Sequence, residues 1–342
     1  MRPSSSAPSR VSSPPPASAS QGNTYLRVKQ TTNKALLHPE YLLGVAASGT
    51  IFPSASRAAY SNQAYAILGL ALSRITGKSM PQLLASHIVD TLNLAATTYT
   101  APVTTASGVI GPDRASSGWD NEFGVFVPAG GNFASSHDMA AIGRAMLISE
   151  LLPPAMTRRW FKHVSFVNDL HQGVGLPWEV VRLDGALNRT IDIYGKSGDW
   201  GVYSTLLALV PDYNIGFTIL TALEPSEEAD VRTEVSNLIS PLLIEAVDAV
   251  AKAQAADNFA GTYSSSASNS SITVTTDEDS ALRLMSWTHD GKDIFNGLVG
   301  RVAENPDWRL LPNDLYDSSR GVGFTSLFQK KVPEKLYFGA LL

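Results

Sequence analysis

The side chains best suited to chemistry in this 342-residue chain lie in two short motifs. One is Tyr60-Ser61-Asn62, just before a strongly periodic helical segment, and the other is Lys196-Ser197-Gly198, which precedes the strand-like run Tyr203–Val210. Alone, each motif is also compatible with a bland interpretation: a loop tyrosine packed on the core, and a plain β-turn. Their order, separation and contexts indicate a shared site.

Other kinds of chemistry find little support in the sequence. The chain has no Cys, which excludes disulfides, thiolate metal sites and cysteine nucleophiles. No G-x-S-x-G segment is present, and Gly77-Lys78-Ser79 and Gly195-Lys196-Ser197 both lack the upstream glycine of a P-loop. The six histidines show no i, i+4 pair with an adjacent acid, so no zinc site is expected. The sequence implies no cofactor.

Composition narrows the class of partner. With 44% apolar and 17% charged residues the chain can bury a sizeable core. The net charge of −5 and the lack of a basic block argue against nucleic-acid binding. No apolar run is long enough to predict a membrane-spanning helix. Compartment and oligomeric state are left open.

The residues around the two motifs give a more specific indication. The segments concerned are Tyr60–Tyr65, Leu68-Gly69, Ile75–Ser79, Pro128–Met139, Tyr194–Gly198 and Leu209–Asp212. Together they resemble the serine β-lactamase and penicillin-binding protein family, in particular its class C-like branch of β-lactamases, D-peptidases, esterases and transesterases. His38–Leu43, Val174–Glu179 and the C-terminal β region are similar to the fungal β-lactamase-like group. The resemblance covers roughly residues 36–342.

The resemblance implies acyl transfer through an acyl-serine, on a small molecule with an acyl, ester or amide carbonyl. It gives Tyr60 the role of general base or proton relay. A tyrosine pKa of about 10 must be lowered by nearby cations for that role, and Lys196 is a suitable cation.

The same resemblance assigns the substrate contacts. Asn62 is expected to hydrogen-bond the substrate amide, and Ser197 to contact a substrate carboxylate or the region of Tyr60. Backbone N–H groups just after Gly198, near Asp199, are expected to complete the oxyanion hole. Bulk at Gly198 would block the approach of the substrate.

The family's nucleophile, a Ser in S-x-x-K, is missing from this sequence. No Lys has a Ser three residues before it, and the nearest substitute is Thr31-Thr32-Asn33-Lys34, 29 residues before Tyr60. Thr31 is not expected to replace the serine, because the family places a longer stretch between these motifs. The expectation is a chain without the family's N-terminal S-x-x-K part, inactive as given. A truncated active hydrolase, a pseudoenzyme or acyl-binding protein on the same fold, and an unrelated α+β binding protein remain open.

The elements that must position these residues follow from periodicity and turn chemistry. The predicted helices are Gln63–Thr76, Met80–Leu92, His137–Ile148 and one from about Ser226 with a kink or restart at Pro241. The predicted strands are Thr190–Tyr194, Tyr203–Val210, Ile215–Leu220 and a C-terminal series of short runs. Turns are predicted at Pro128–Gly131 and Pro211–Asn214. This pattern predicts an α+β fold, which the resemblance makes a β-lactamase/transpeptidase-like antiparallel sheet flanked by helices.

Three regions are expected along the chain. Residues 1–35 are Ser-, Pro- and Ala-rich at their start and are interpreted as a disordered or non-homologous tail. Residues 36–256 are expected to form a partial β-lactamase-related domain, and 257–342 a small, mostly β domain.

Overall fold

The computed structural model describes residues 38–50, 52–103, 108–109, 114, 116–167, 170–183, 190–223, 230–294, 297, 307–317 and 321–329. These residues belong to two compact units, one drawn from Met1–Leu83 and Asn121–Asn132, the other from Leu84–Asp120 and Phe133–Leu342. The predicted tail 1–35, including Thr31, lies outside the described residues.

The described part of the chain contains the following elements. The helices are α1 His38–Ser48, α2 Asn62–Thr76, α3 Met80–Leu84, α4 Asp90–Leu92, α5 Val127–Gly130, α6 Ser136–Leu147, α7 Pro154–Trp160 and α8 Val231–Phe259. The strands are β1 Ser165–Phe166, β2 Gln172–Val174, β3 Glu179–Leu183, β4 Ile191–Trp200, β5 Tyr203–Val210, β6 Ile215–Ala222, β7 Gly261–Ser265, β8 Ser270–Thr275, β9 Leu282–His289, β10 Lys292–Asp293, β11 Asp307–Asp317 and β12 Gly321–Gln329. A π-helical segment, Ala85–Val89, lies between α3 and α4, and 3-10 turns occupy Gly124–Phe126 and Pro211–Tyr213.

The first unit is helical. Its core contains Tyr41 from α1, Ala66 from α2 and Val125 from the 3-10 turn before α5. Helix α2 lies very close to α5, since a Cβ added to Gly69 would come within 2.2 Å of Pro128 Cγ. The turn predicted at Pro128–Gly131 is wrong: Val127–Gly130 makes one helical turn, because proline is tolerated in the first turn of a helix.

The main sheet of the second unit is antiparallel, in the strand order β1-β2-β3-β4-β5-β6. Side chains alternate between its two faces. One face packs against α6 through a cluster that includes Tyr194, Leu207 and Leu209. The other face packs against α8 through a cluster that includes Ile193 and Val210. Each fully buried aliphatic side chain here contributes about 1.5–3 kcal/mol. The predicted antiparallel sheet flanked by helices is confirmed.

Capping side chains define the start of two helices. Ser135 is the N-cap of α6 and accepts a hydrogen bond from the Asp138 backbone N–H, close to the predicted start. Helix α8 has Asp230 as its N-cap and continues through Pro241 as one element, so the alternative of a restart is wrong. The start predicted near Ser226 lies outside the described residues.

A second antiparallel sheet follows α8, in the order β12-β11-β9-β8-β7, with β10 pairing β9. Its core contains Val274, Leu282, Leu284 and Trp308. Strand β11 was not predicted, because Pro312 interrupts its apolar pattern; its pairing with β12 shifts register between Pro312 and Tyr316.

Candidate functional site

The Tyr60-Ser61-Asn62 motif lies at the N-terminus of α2, in the first unit. Ser61 is the N-cap, with its Oγ accepting a hydrogen bond of 3.1 Å from Ala64 N, and Asn62 is the first helical residue. The Tyr60 side chain is 74% exposed. The local sequence therefore explains the conformation of the motif. Capping by Ser61 fixes where α2 begins, and it places Tyr60 and Asn62 at the N-terminus of the helix.

The Lys196-Ser197-Gly198 motif lies within β4, in the second unit. Lys196 is opposite Leu207 and Ser197 is opposite Leu206 on β5. The bland interpretation of this motif as a plain β-turn is wrong, because β4 continues to Trp200. The sequence predicted the strand only as far as Tyr194, since the polar residues that follow break its apolar alternation.

A carboxylate from the neighbouring strand holds this motif. Lys196 Nζ donates to Glu179 Oε1 at 2.6 Å and to the Ser197 carbonyl oxygen at 2.6 Å. Glu179 Oε2 accepts from Ser197 N at 3.0 Å and from Ser197 Oγ at 2.8 Å. An ammonium, a hydroxyl and a backbone N–H therefore converge on one carboxylate.

Sequence reasoning did not connect Glu179 with the Lys196-Ser197-Gly198 motif. Glu179 lies opposite Gly195 in the pairing of β3 with β4. Gly195 comes two residues before Ser197, so both lie on the same face of β4. Strand β3 was not predicted, so the register that joins Glu179 to the motif could not be derived. An acidic residue at the start of the short β-branched segment Glu179–Leu183 was the available signal.

The far end of β4 is also closely held. Thr205 Oγ1 donates to the Gly198 carbonyl oxygen at 3.2 Å, and a Cβ added to Gly198 would come within 3.0 Å of Thr205 Oγ1. Asp199 Oδ1 accepts from Ser204 Oγ at 2.5 Å and from Arg232 Nη1 at 2.7 Å. The Asp199 side chain thus serves to anchor the strand to the start of α8.

Electrostatics support that anchor. Burial lowers the pKa of the Arg232 guanidinium, but its hydrogen bonds and ion pairs with Asp199 and Asp230 outweigh burial and raise the pKa overall. Arg232 therefore stays charged at every physiological pH.

A second charged cluster lies elsewhere on the same sheet. His163 Nε2 is 3.0 Å from Asp192 Oδ2, and Arg182 Nε donates to Asp192 Oδ1 at 2.8 Å. Burial raises the pKa of nearby Tyr194 to about 12, with Asp192 and Asp212 acting in the same direction. The Tyr194 phenol therefore stays protonated at neutral pH.

The structure divides the predicted site residues between its units. Tyr60 and Asn62 belong to the first, and Lys196, Ser197, Gly198 and Asp199 to the second, where they follow one another along β4. Among the described residues, no group of three or more His, Cys, Asp or Glu side chains is arranged to hold a metal ion. None of the helices in the described ranges is both long and apolar enough to cross a membrane.

Comparison with known proteins gives two family matches. The model of the family described as Beta-lactamase matches residues 24–239, and a model described as Beta-lactamase-like-like, C-terminal domain, matches residues 251–336.

Curated relatives agree with those matches. The chain is 26% identical over 306 residues to a β-lactamase-like protein of Arthroderma benhamiae, covering 83% of this chain and 50% of the relative. It is 27% identical over 241 residues to the probable hydrolase clz13 of Cochliobolus lunatus, covering 69% and 38%. The chain thus spans half or less of the length of these fungal relatives.

Solved structures show the same fold. A β-lactamase/D-alanine carboxypeptidase from Yersinia pestis is similar with a TM-score of 0.51 at 23% identity, covering 64% of each chain. A D-amino acid amidase from Ochrobactrum anthropi is similar with a TM-score of 0.52 at 15% identity, covering 64% of this chain and 65% of the amidase. Since the first family model matches well over half of the chain, this protein belongs to the β-lactamase family of hydrolase-like proteins.

Proposed function

We propose that this fold serves acyl transfer at an ester or amide carbonyl of a small molecule, and that the chain as given binds such compounds without forming an acyl-enzyme. The observation that carries the first part is the donor cluster on β4, where Lys196 and Ser197 lie side by side with three hydrogen-bond donors. The second part rests on the sequence, which contains no Ser-x-x-Lys.

Each predicted catalytic residue has a role suited to its chemistry. Tyr60 acts as the general base or proton relay, for which an exposed phenol at a helix end is accessible. Lys196 is the cation that the proposed mechanism requires. Asn62 provides an amide that can donate to and accept from the substrate amide.

The remaining residues bind the acyl group. Ser197 donates from its hydroxyl, and the backbone N–H groups beyond Gly198, near Asp199, stabilise a developing oxyanion. A Cβ at Gly198 would come within 3.0 Å of Thr205 Oγ1, a tight contact that Thr205 would have to relieve by a small shift.

A second candidate function is that of a pseudoenzyme or acyl-binding protein on the same fold. The missing Ser-x-x-Lys favours it, because without a nucleophile the covalent route is closed while the binding groups remain. Compounds with an acyl, ester or amide carbonyl are the proposed ligands under both alternatives, and neither involves nucleic acid. This ligand class is in keeping with two proteins to which the chain is similar, a D-amino acid amidase and a D-alanyl-D-alanine-carboxypeptidase/endopeptidase.

Two measurements test the proposal. Intact-mass spectrometry after incubation with a fluorophosphonate, a penicillin and p-nitrophenyl acetate should show no stoichiometric adduct, and the ester should give no burst. Any adduct is then mapped in the Thr31→Ala variant, because the nearest substitute motif begins at that residue. An adduct at any residue would contradict the absence of an acyl-enzyme, and its loss in the variant would identify Thr31 as the nucleophile.

The binding role is tested with a neutral ligand, phenylacetylglycine methyl ester, titrated by ligand-detected NMR. Asn62→Ala should weaken binding about fivefold or more, as expected for loss of one or more hydrogen bonds to the ligand. The matched control is Asn258→Ala, an exposed asparagine on α8. Equal affinities of wild type and both variants would refute the role of Asn62.

A further inference from the structure

We infer that Glu179 is an internal occupant of the anion-binding site formed by Lys196 and Ser197, and that this chain therefore selects acyl compounds that are uncharged at that position. The inference rests on the proposed function, because it narrows the class of small molecules proposed there. Its evidence lies entirely within β3 and β4.

The donor set fits a carboxylate in general, not glutamate in particular. An ammonium and a hydroxyl contact separate oxygens of one carboxylate, at 2.6 Å from Lys196 Nζ and 2.8 Å from Ser197 Oγ, and the Ser197 N–H adds a third bond at 3.0 Å. Charge-assisted bonds of this kind are short and stronger than neutral ones. A free carboxylic acid would use the same three donors, so it must compete with Glu179.

The strand geometry favours the internal carboxylate. Glu179 lies directly opposite Gly195, which has no side chain, so the glutamate can extend along β4 toward Ser197. Its neighbours Trp178 and Val180 are both deeply buried, which fixes the backbone that carries it. A carboxylate tethered to a rigid strand acts at a high effective concentration, in the millimolar range or above.

The site is nevertheless open to solvent. The Lys196 and Glu179 side chains are 35% and 43% exposed. A ligand can therefore reach these donors. Occupancy by Glu179, and not burial of the site, is what discriminates between charged and neutral ligands. A neutral ester or amide needs no charge partner, so Glu179 costs it little, whereas a carboxylate meets both a filled site and a like charge.

The experiment compares phenylacetylglycine with its methyl ester, which differ only in the carboxylate, by ligand-detected NMR titration. The wild-type chain should bind the ester at least as tightly as the acid. In Glu179→Gln and Glu179→Ala the affinity for the acid should rise about tenfold, while that for the ester changes less than twofold. Adding Ser197→Ala to Glu179→Ala should remove most of the gain.

The control variant is Glu245→Gln, which makes the same change in net charge on the exposed face of α8. It should leave the acid-to-ester ratio unchanged. Circular dichroism of each variant establishes that it is folded. If Glu179→Ala does not fold, Glu179→Gln still provides a valid test.

Each outcome separates this inference from the proposed function. Tighter binding of the acid than the ester by wild type, or an unchanged ratio in both Glu179 variants, would overturn the inference. So would failure of the acid to bind Glu179→Ala at its highest soluble concentration. The affinity for the acid could rise in the Glu179 variants while no variant binds the ester. That result would support Glu179 as the internal occupant and would count against the proposed function alone.

Discussion

The turn after β4 offers the sharpest test of how the site's strand is held. Gly201 has a φ of +58°, in the left-handed region, and a Cβ added there would come within 2.1 Å of the Ser117 carbonyl oxygen. Ser117 is fully buried, so that oxygen has no room to withdraw. Replacing Gly201 by Ala must therefore displace the backbone on one side of the contact.

The cost follows from two contributions. A non-glycine residue in the left-handed region costs about 1–2 kcal/mol. The displacement also strains the hydrogen bonds from Val202 N to the Ser117 carbonyl, 3.1 Å, and from Trp200 Nε1 to the Gly118 carbonyl, 3.1 Å. Weakening these bonds costs about 1–3 kcal/mol for each polar group left unsatisfied. We expect Gly201→Ala to lower the free energy of unfolding by roughly 3–5 kcal/mol, a large part of the usual 5–15 kcal/mol.

The assay is urea unfolding followed by tryptophan fluorescence and far-ultraviolet circular dichroism, with Gly77→Ala as the matched control. Gly77 ends α2 with a φ of +68°, yet an added Cβ there would meet nothing within 4 Å. The control therefore isolates the conformational cost of a left-handed alanine, and the difference between the variants measures the steric contact. We expect that difference to be about 2–3 kcal/mol, from the strained bonds alone.

Comparable losses in the two variants would refute the reasoning, since they would mean that the turn around Ser117 adapts freely to a methyl group. A large loss in Gly201→Ala with a normal spectrum and normal ester binding would keep the stability argument. It would also show that the end of β4 does not position the ligand.

Three further predictions concern other parts of the chain. Ser61→Ala removes the N-cap bond to Ala64 and should lower the free energy of unfolding by about 1 kcal/mol, measured by thermal unfolding, with Ser61→Gly nearer to wild type. Arg309→Met leaves the carboxylates of Asp277, Asp279 and Asp307 around a buried position without their main partner and should cost about 3 kcal/mol in urea at pH 7; a loss under 1 kcal/mol would contradict it. The Arg309 guanidinium also holds the pKa of Asp277 below its ordinary value. The stabilisation from this ion pair is therefore present above about pH 4 and is lost as the pH falls through the lowered pKa. The loss of unfolding free energy in Arg309→Met should accordingly shrink between about pH 5 and pH 2.

Much of the fold could be predicted because some segments carry several signals that agree. The α2 segment combines apolar spacing, a cap at Ser61 or Asn62 and a Gly77 stop, and the structure has the helix at Asn62–Thr76 with Ser61 as the cap. Strand β5 was predicted as Tyr203–Val210 and has those bounds. Local chemistry suffices in such segments, since propensity, pattern and caps all favour the same structure.

Other segments could not be predicted, because tertiary contacts decide them. Pro128 favours a turn by composition, yet a close contact with Gly69 accompanies a helical turn there. Strand β4 continues through Lys196–Trp200 because β5 pairs with it there, which no local pattern encodes. β-propensity depends on cross-strand neighbours more than on the residue itself.

The same distinction applies to the candidate site. Tyr60, Asn62, Lys196 and Ser197 could be chosen as candidates because each lies in a motif of consecutive residues, which is visible without knowledge of the fold. Glu179 was missed because its relation to the motif depends on the register of two strands, and a one-residue slip would turn its carboxylate to the opposite face. A motif therefore indicates which donors a site has. The neighbouring strand determines what already fills them, and for this chain that difference decides whether a charged or a neutral acyl compound is expected to bind.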